Sequence, residues 1–504
     1  MLICFFILFY NYSGLLLRRK EPGLPRLLAQ PRNDEWRTRT RSVIASEAWQ
    51  SRNLSSSRYL SMTWVVILFL SFIQPSHALK IEITQGQVDP TPIAVTDLLS
   101  ADGTTLGADI ATVVGNDLAS SGLFRLIDKK AFIQDTISLQ KEPRFTDWRL
   151  VNAQLLFVGQ IVSEGSNVRI DFRLFDAFSG TQMLGLSFTG DPKKWRKLAH
   201  MIADAIYKRV TGESGYFDTQ IAFIDESGRK GKGRVRRLAI MDLDGHNPRY
   251  LTNGKHLVVT PRFSSSTMEI AYLSYANKFP SVYIYNIATG ENKLLRRFEG
   301  MTFAPRFSMD GDSIVMSLEK EGYSAIYTMN IRNNQMQALT KHTSIDTSPC
   351  YSPDGQSIVF ISDRGDGDAD TDNRSSRNVN IFVMDANGGN VRRISFGSGK
   401  YFQPVWSPRG DWIAFTRFEK GSFYIGVMRP DGSDERTIIN GYLVESPVWA
   451  ANGRELIFTM EKGPGARPYL YRVNLTGHNL QKVNTPHDAS DGAWSRLLSE
   501  ISVQ

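Results

Sequence analysis

Beyond residue 78 the apolar residues fall into short runs whose spacing changes from element to element. Lys80-Ile81-Glu82-Ile83-Thr84 alternates polar and apolar side chains, the pattern of a short strand. From Asp109 to Asp128, Ile110, Val113, Val114 and Leu118 keep near-helical spacing. Gly122 is placed to end that helix before a short strand. Leu155–Val162 and Val168–Phe175 flank Glu164-Gly165-Ser166-Asn167, a hairpin signature, and Thr181–Phe188 supplies a third strand. Lys193–Val210 reads as a helix with Trp195, Leu198, Met201, Ile202, Ala205 and Ile206 on one face. Residues 79–215 are thus expected to form a small α+β domain whose apolar stripes are core. It carries no catalytic set.

From residue 216 the texture changes to short strands, glycine-rich turns and aromatics. Five segments align: TPRFSSSTMEIAYLS (260–274), APRFSMDGDSIVMS (304–317), SPCYSPDGQSIVFIS (348–362), QPVWSPRGDWIAFTR (403–417) and SPVWAANGRELIFTM (446–460). Their prolines, Pro261, Pro305, Pro349, Pro404 and Pro447, are spaced 44, 44, 55 and 43 residues apart. Each unit reads as four strands, with Pro-x-aromatic-Ser opening strand A and Pro-Asp-Gly or its relatives turning the chain. A sheet of that size cannot bury both faces alone, so the period specifies the stacked blades of a β-propeller.

The two ends of the repeat region fix the blade number. The first unit begins at Ile221-Ala222-Phe223, a strand B with no strand A before it. Asp491-Gly492-Ala493-Trp494-Ser495, with Gly492 45 residues beyond Pro447, matches a strand A with nothing after it. One end supplies what the other lacks, which removes the exposed sheet edges. The expected fold is therefore an α+β N-terminal domain followed by an all-β six-bladed β-propeller over 216–504, closed by a C-terminal strand.

Composition narrows the function. The net charge of +8 resembles that of a nucleic-acid binder, but residues 1–61 carry +6 of it. The folded remainder is close to neutral, which argues against a nucleic-acid surface. Cys4 and Cys350 are the two cysteines, so a chain shortened at its N-terminus has no intramolecular disulfide. Trp64–Ile73 is an apolar run followed by Gln74-Pro75-Ser76-His77-Ala78, with small residues placed for signal-peptidase cleavage between Ala78 and Leu79. Residues 62–78 are read as a signal peptide and 1–61 as an over-called extension ahead of the true start. Leu2–Leu17 as a signal anchor is the alternative, although it falls short of the about 20 apolar residues of a spanning helix. No Gly-x-Ser-x-Gly, His-Glu-x-x-His or phosphate-binding glycine loop is present, and the seven histidines are scattered. No enzyme activity and no cofactor are expected.

The repeats, together with IEITQGQVDPTPIAV (81–95) ahead of the small domain, resemble the TolB family of the periplasmic Tol-Pal system. The resemblance covers about 79–504 and implies a monomeric, non-enzymatic docking protein, tied to the envelope through its partners. It implies that TolA binds the mature N-terminus: Leu79, Lys80, Ile81, Glu82, Ile83, Thr84, Gln85 and Gly86. An alternating strand followed by Gly86, Pro90 and Pro92 is suited to adding to a partner's sheet edge, although the same strand also suits the edge of its own domain. It further implies that the peptidoglycan-associated lipoprotein, Pal, binds one loop face of the propeller. The matching positions are Met301 and Ala304 before Pro305, and Thr347 and Ser348 before Pro349. The histidine typical of the family at the first of these is replaced by Met301.

In an antiparallel meander the D–A and B–C loops emerge on the same face. The long spacing of 55 comes from an acidic insertion, Asp363 to Asn373, between strands B and C. It is expected to overhang the Pal-binding face. Asp366, Asp368 and Asp370 form a calcium-like alternation, but the bidentate Glu of such loops is missing, and a solvated insertion is the favoured reading. The alternative functions are an extracytoplasmic propeller that binds a polysaccharide or peptide, and the gating propeller of a peptidase.

Overall fold

The computed structural model describes residues 89–100, 104–229, 232–276, 280–298, 300–341, 344–364 and 378–498. Strand β1 (Thr91–Val95) grows from the Pro92–Val95 segment, and β2 (Leu99–Ser100) follows it. Next come helix α1 (Leu106–Ser120), strand β3 (Phe124–Leu126) and two short helices, α2 (Thr136–Lys141) and α3 (Phe145–Leu150). A meander of β4 (Leu155–Glu164), β5 (Asn167–Asp176) and β6 (Gln182–Gly190) leads into helix α4 (Trp195–Thr211).

The sheet order is β3-β1-β4-β5-β6, with β2 also paired to β4, and β1 runs parallel to both neighbours. Alternation sends Ile93, Leu155 and Phe157 to one face, where they pack with Ile110, Val114, Ile202 and Ile206 of α1 and α4. Ala94, Leu156 and Val158 point the other way, against Leu139 and Trp148 of α2 and α3. The hairpin and the two long helices match the apolar spacing. The short helices α2 and α3 do not, because six residues give too little period to register. The signal of α2 is its cap, where the Asp135 carboxylate accepts the amides of Ile137 and Ser138 at 3.0 Å each, whereas α3 has no side-chain cap. The strand expected over Lys80–Thr84 lies outside the described residues.

Six four-stranded antiparallel sheets follow. Blade I combines Asp488–Trp494, Gln220–Arg229, Lys232–Asp242 and Arg249–Tyr250, so the last strand completes the first blade. The innermost strands of blades II to VI are Val258–Phe263, Thr302–Phe307, Thr347–Tyr351, Lys400–Trp406 and Leu443–Trp449. The ring closes as the complementary ends require: Ala493 and Trp494 pair with Ala222 and Ile221, and the Gln220 amide donates to the Ser495 hydroxyl at 2.8 Å.

One expectation is corrected. The repeated proline does not open strand A but lies inside it. Each strand starts up to four residues earlier, and the ladder tolerates the proline because the register shifts there. Among the described residues no helix is long and apolar enough to cross a membrane.

Candidate functional site

The shift sits at the same place in every blade. Register slips between Val259 and Arg262, Phe303 and Arg306, Thr347 and Cys350, Phe402 and Val405, Glu445 and Val448, and Ser490 and Ala493. The residue ahead of the proline, or of Gly492, is left-handed in blades I, II, IV, V and VI. Their φ values are +50° at Asp491, +50° at Thr260, +56° at Ser348, +49° at Gln403 and +57° at Ser446. Each such backbone costs about 1–3 kcal/mol and persists only where its surroundings over-determine it.

What the bulge gains is direction, because an extra residue re-aims its side chain. The Gln403 side-chain amide donates to the Ser446 hydroxyl at 3.0 Å and accepts the Ser446 backbone amide at 2.8 Å. The Ser446 hydroxyl reaches Asp491 at 3.3 Å, and Asp491 accepts the Thr260 amide at 3.4 Å. A polar belt thus crosses blades V, VI, I and II around the axis.

The residues singled out for Pal binding lie on or beside this belt. Met301 stands half-buried just before its strand, and its carbonyl accepts the Glu319 amide at 2.8 Å. Ala304 occupies the backbone position equivalent to Ser348. Ser348 is half-buried, and Thr347 is buried with its hydroxyl unpartnered. Thr260 and Thr302 likewise bury hydroxyls without partners. Thr260, Thr302 and Thr347 come from neighbouring innermost strands, where they are buried beneath the belt. Buried polar atoms are rarely left unpaired, and these three mark a stretch of the axis whose bonding the chain itself does not complete.

A cluster around Asp346, a residue not singled out from the sequence, holds Asp363 and Arg364, the first residues of the insertion, on that face. Asp346 is fully buried and accepts from the hydroxyls of Ser344 (2.9 Å) and Ser362 (2.6 Å) and from the Arg364 guanidinium (2.6 Å). The Ile345 amide donates to Asp363 at 2.7 Å, which joins a D–A loop to a B–C loop as strand direction demands. Asp366, Asp368 and Asp370 lie outside the described residues, as do Ala78 and the Leu79–Gly86 segment.

Residues 207–498 match the family model of the TolB beta propeller domain, and residues 79–183 match that of the TolB amino-terminal domain. A curated relative, the Tol-Pal system protein TolB of Paramagnetospirillum magneticum, is 52% identical over 442 residues, covering 86% of this chain and 96% of that protein. The chain belongs to the TolB family. The crystal structure of TolB from Acinetobacter baumannii shares its fold, with a TM-score of 0.71 at 24% identity, covering 82% of this chain and 99% of that one.

In this TolB-family chain the small domain meets the opposite face of the propeller, where the A–B and C–D turns emerge. Arg454 forks onto Glu213, with Nε at 2.7 Å, and Arg409 approaches the same carboxylate at 3.4 Å. The buried Tyr216 hydroxyl donates to Glu455 at 2.6 Å. Three propeller side chains, Arg472, Asn479 and Gln481, donate to the Ser120 carbonyl at the end of α1, at 2.8–3.1 Å. A cation there also suits the negative end of the helix dipole.

Asp117, His200 and Asp244 bring ligand atoms within 4.8 Å of one another, a spacing that also suits a metal. The chemistry favours an ion network. His200 donates to Asp117 at 2.6 Å, and Arg196 pairs with Asp244. Burial pulls the imidazole down, but Asp117 and Asp244 outweigh it and hold His200 up at about 9. With an imidazolium and a guanidinium facing two carboxylates, the charges balance without an added cation.

Proposed function

We propose that this chain is the periplasmic component of a Tol-Pal envelope system, docking Pal on the D–A loop face of the propeller and TolA through the mature N-terminus. In that role it supports outer-membrane integrity and constriction during cell division. The observation that carries the Pal reading is the bulge belt: half-buried Met301 and Ser348 beside the unpartnered hydroxyls of Thr260, Thr302 and Thr347. A docked segment with its own donors and acceptors would satisfy groups that the fold leaves unpaired. The TolA reading rests on family membership and on the alternating Lys80–Thr84 pattern.

Residues 62–78 act in this reading as a signal peptide, with the mature chain, a monomer, starting at Leu79. The 1–61 stretch precedes the true start, 79–215 forms the small domain and 216–504 the propeller. The protein does no catalysis. Co-purification of the mature chain with Pal and with TolA tests the proposal. Deleting residues 79–88 is expected to abolish capture of TolA and spare Pal, and Ser348→Arg to do the reverse. Capture of neither partner by the parent chain overturns the assignment.

A further inference from the structure

The end of the axis nearer the small domain has a different character from the belt. The residue following each proline (or Gly492) lines a single cavity of about 170 Å³: Arg262, Arg306, Cys350, Val405, Val448 and Ala493. The aromatic residue after each of these walls the cavity as well. Three arginines, Arg262, Arg306 and Arg496, border it, and among the described residues no Asp or Glu does.

Arg262 is 6% exposed. One of its terminal nitrogens donates to the Pro261 carbonyl at 2.6 Å, and its Nε has no partner. Among the described residues neither Arg262 nor Arg306 forms an ion pair. Asp491 is the carboxylate that acts on Arg262 through space, but it serves the Thr260 amide and the Ser446 hydroxyl. Burial and then the neighbouring Arg306 push the Arg262 guanidinium down to about 9, against the pull of Asp491. A guanidinium that resists losing its proton, buried beside a second one, is costly to keep unless an anion joins it.

We propose that this end of the channel is a binding site for a small organic acid, whose carboxylates are held by Arg262 and Arg306. Planar guanidinium forks match a carboxylate in-plane. Val405, Val448 and Ala493 offer an apolar carbon stem a surface that a bare phosphate would not use, while Ser264, Ser265, Ser407 and Ser495 add polar edges. The volume equals about six waters at roughly 30 Å³ each, enough for a short dicarboxylic acid. The site lies at the other end of the axis from the belt, and it depends on neither the Pal nor the TolA assignment.

Calorimetry of the purified chain with sodium succinate, against sodium chloride at matched ionic strength, tests this. A saturable one-to-one heat is expected, with a succinate-dependent rise in Tm. Arg262→Met, which keeps the apolar stem, and Arg306→Gln are each expected to weaken binding at least tenfold. Without succinate, Arg262→Met should melt at or above the parent's temperature, because an uncompensated buried cation has gone. Absence of saturable heat, unchanged affinity in both variants, or a lower ligand-free Tm for Arg262→Met overturns the proposal. Phosphate binding as tightly as succinate overturns the choice of a carboxylate.

Discussion

Single side chains hold the linker between the domains. Asp204 of α4 accepts the Phe217 amide at 2.8 Å and the Asp218 amide at 3.0 Å, and Gly215 passes so close that a Cβ there would lie 2.6 Å from the Asp204 Cα. Asp204→Ala strands both amides and is expected to cost about 2–4 kcal/mol in urea unfolding; a loss below 1 kcal/mol would show that water replaces the carboxylate. His200 sets a pH dependence at the same interface. Its folded value of about 9 exceeds the unfolded 6.5, so its stabilisation is complete below about pH 6.5 and fades as pH rises through 9. Burial pushes the Asp204 carboxyl up to about 7, so its contribution falls between pH 3.8 and 7, largely outside that window. The Tm is expected to decline from pH 6.5 to 9 and to decline less in His200→Gln; equal slopes would remove His200 from the account. None of these partnerships was legible in the sequence. Asp117 and His200 are 83 residues apart, Tyr216 and Glu455 are 239 apart, and no local pattern links them.

At the scale of elements the innermost strand is where sequence and structure divide. The repeated proline reveals the blade, because a fixed offset of proline, aromatic and turn recurs with the period. It also misleads, since a residue without an amide proton looks like a strand boundary. The bulge reconciles the two, and only the backbone displays it: Thr260, a β-branched residue at φ +50°, offers no sequence cue for a left-handed position. The candidate docking residues come from the family resemblance and stand within four residues ahead of two of the prolines. That the hydroxyls of Thr260, Thr302 and Thr347 are unpaired was not legible, because pairing depends on the neighbouring blade. Thr347→Val keeps the shape and removes one such group. It is expected to stabilise the chain by about 1 kcal/mol while weakening capture of Pal. A variant that is less stable, or that captures Pal unchanged, would show that the hydroxyl is not reserved for a partner.

At the scale of the molecule, two sequence textures predict two domains, yet the core runs through both. Ile202, Ile206, Tyr207 and Phe217 belong to the same buried cluster as Val448, Ile457, Leu470 and Trp494 of the propeller. Trp494 contributes twice, closing blade I beside Ile221 and donating from its indole to Thr219 at 2.8 Å. The strand that shuts the ring therefore also seats the small domain. Shared burial of this kind couples unfolding, whereas polar interfaces between domains leave each to melt alone. The chain is expected to show one calorimetric transition whose van't Hoff and measured enthalpies agree. Arg472→Ala takes a donor from the Ser120 carbonyl and a cation from buried Glu455 but leaves the shared core intact, and should lower the single Tm without splitting the transition. A parent that already melts in two steps would mean that the continuous core does not couple the domains. A partner bound at the small domain could then not be felt through that core on the propeller's far face.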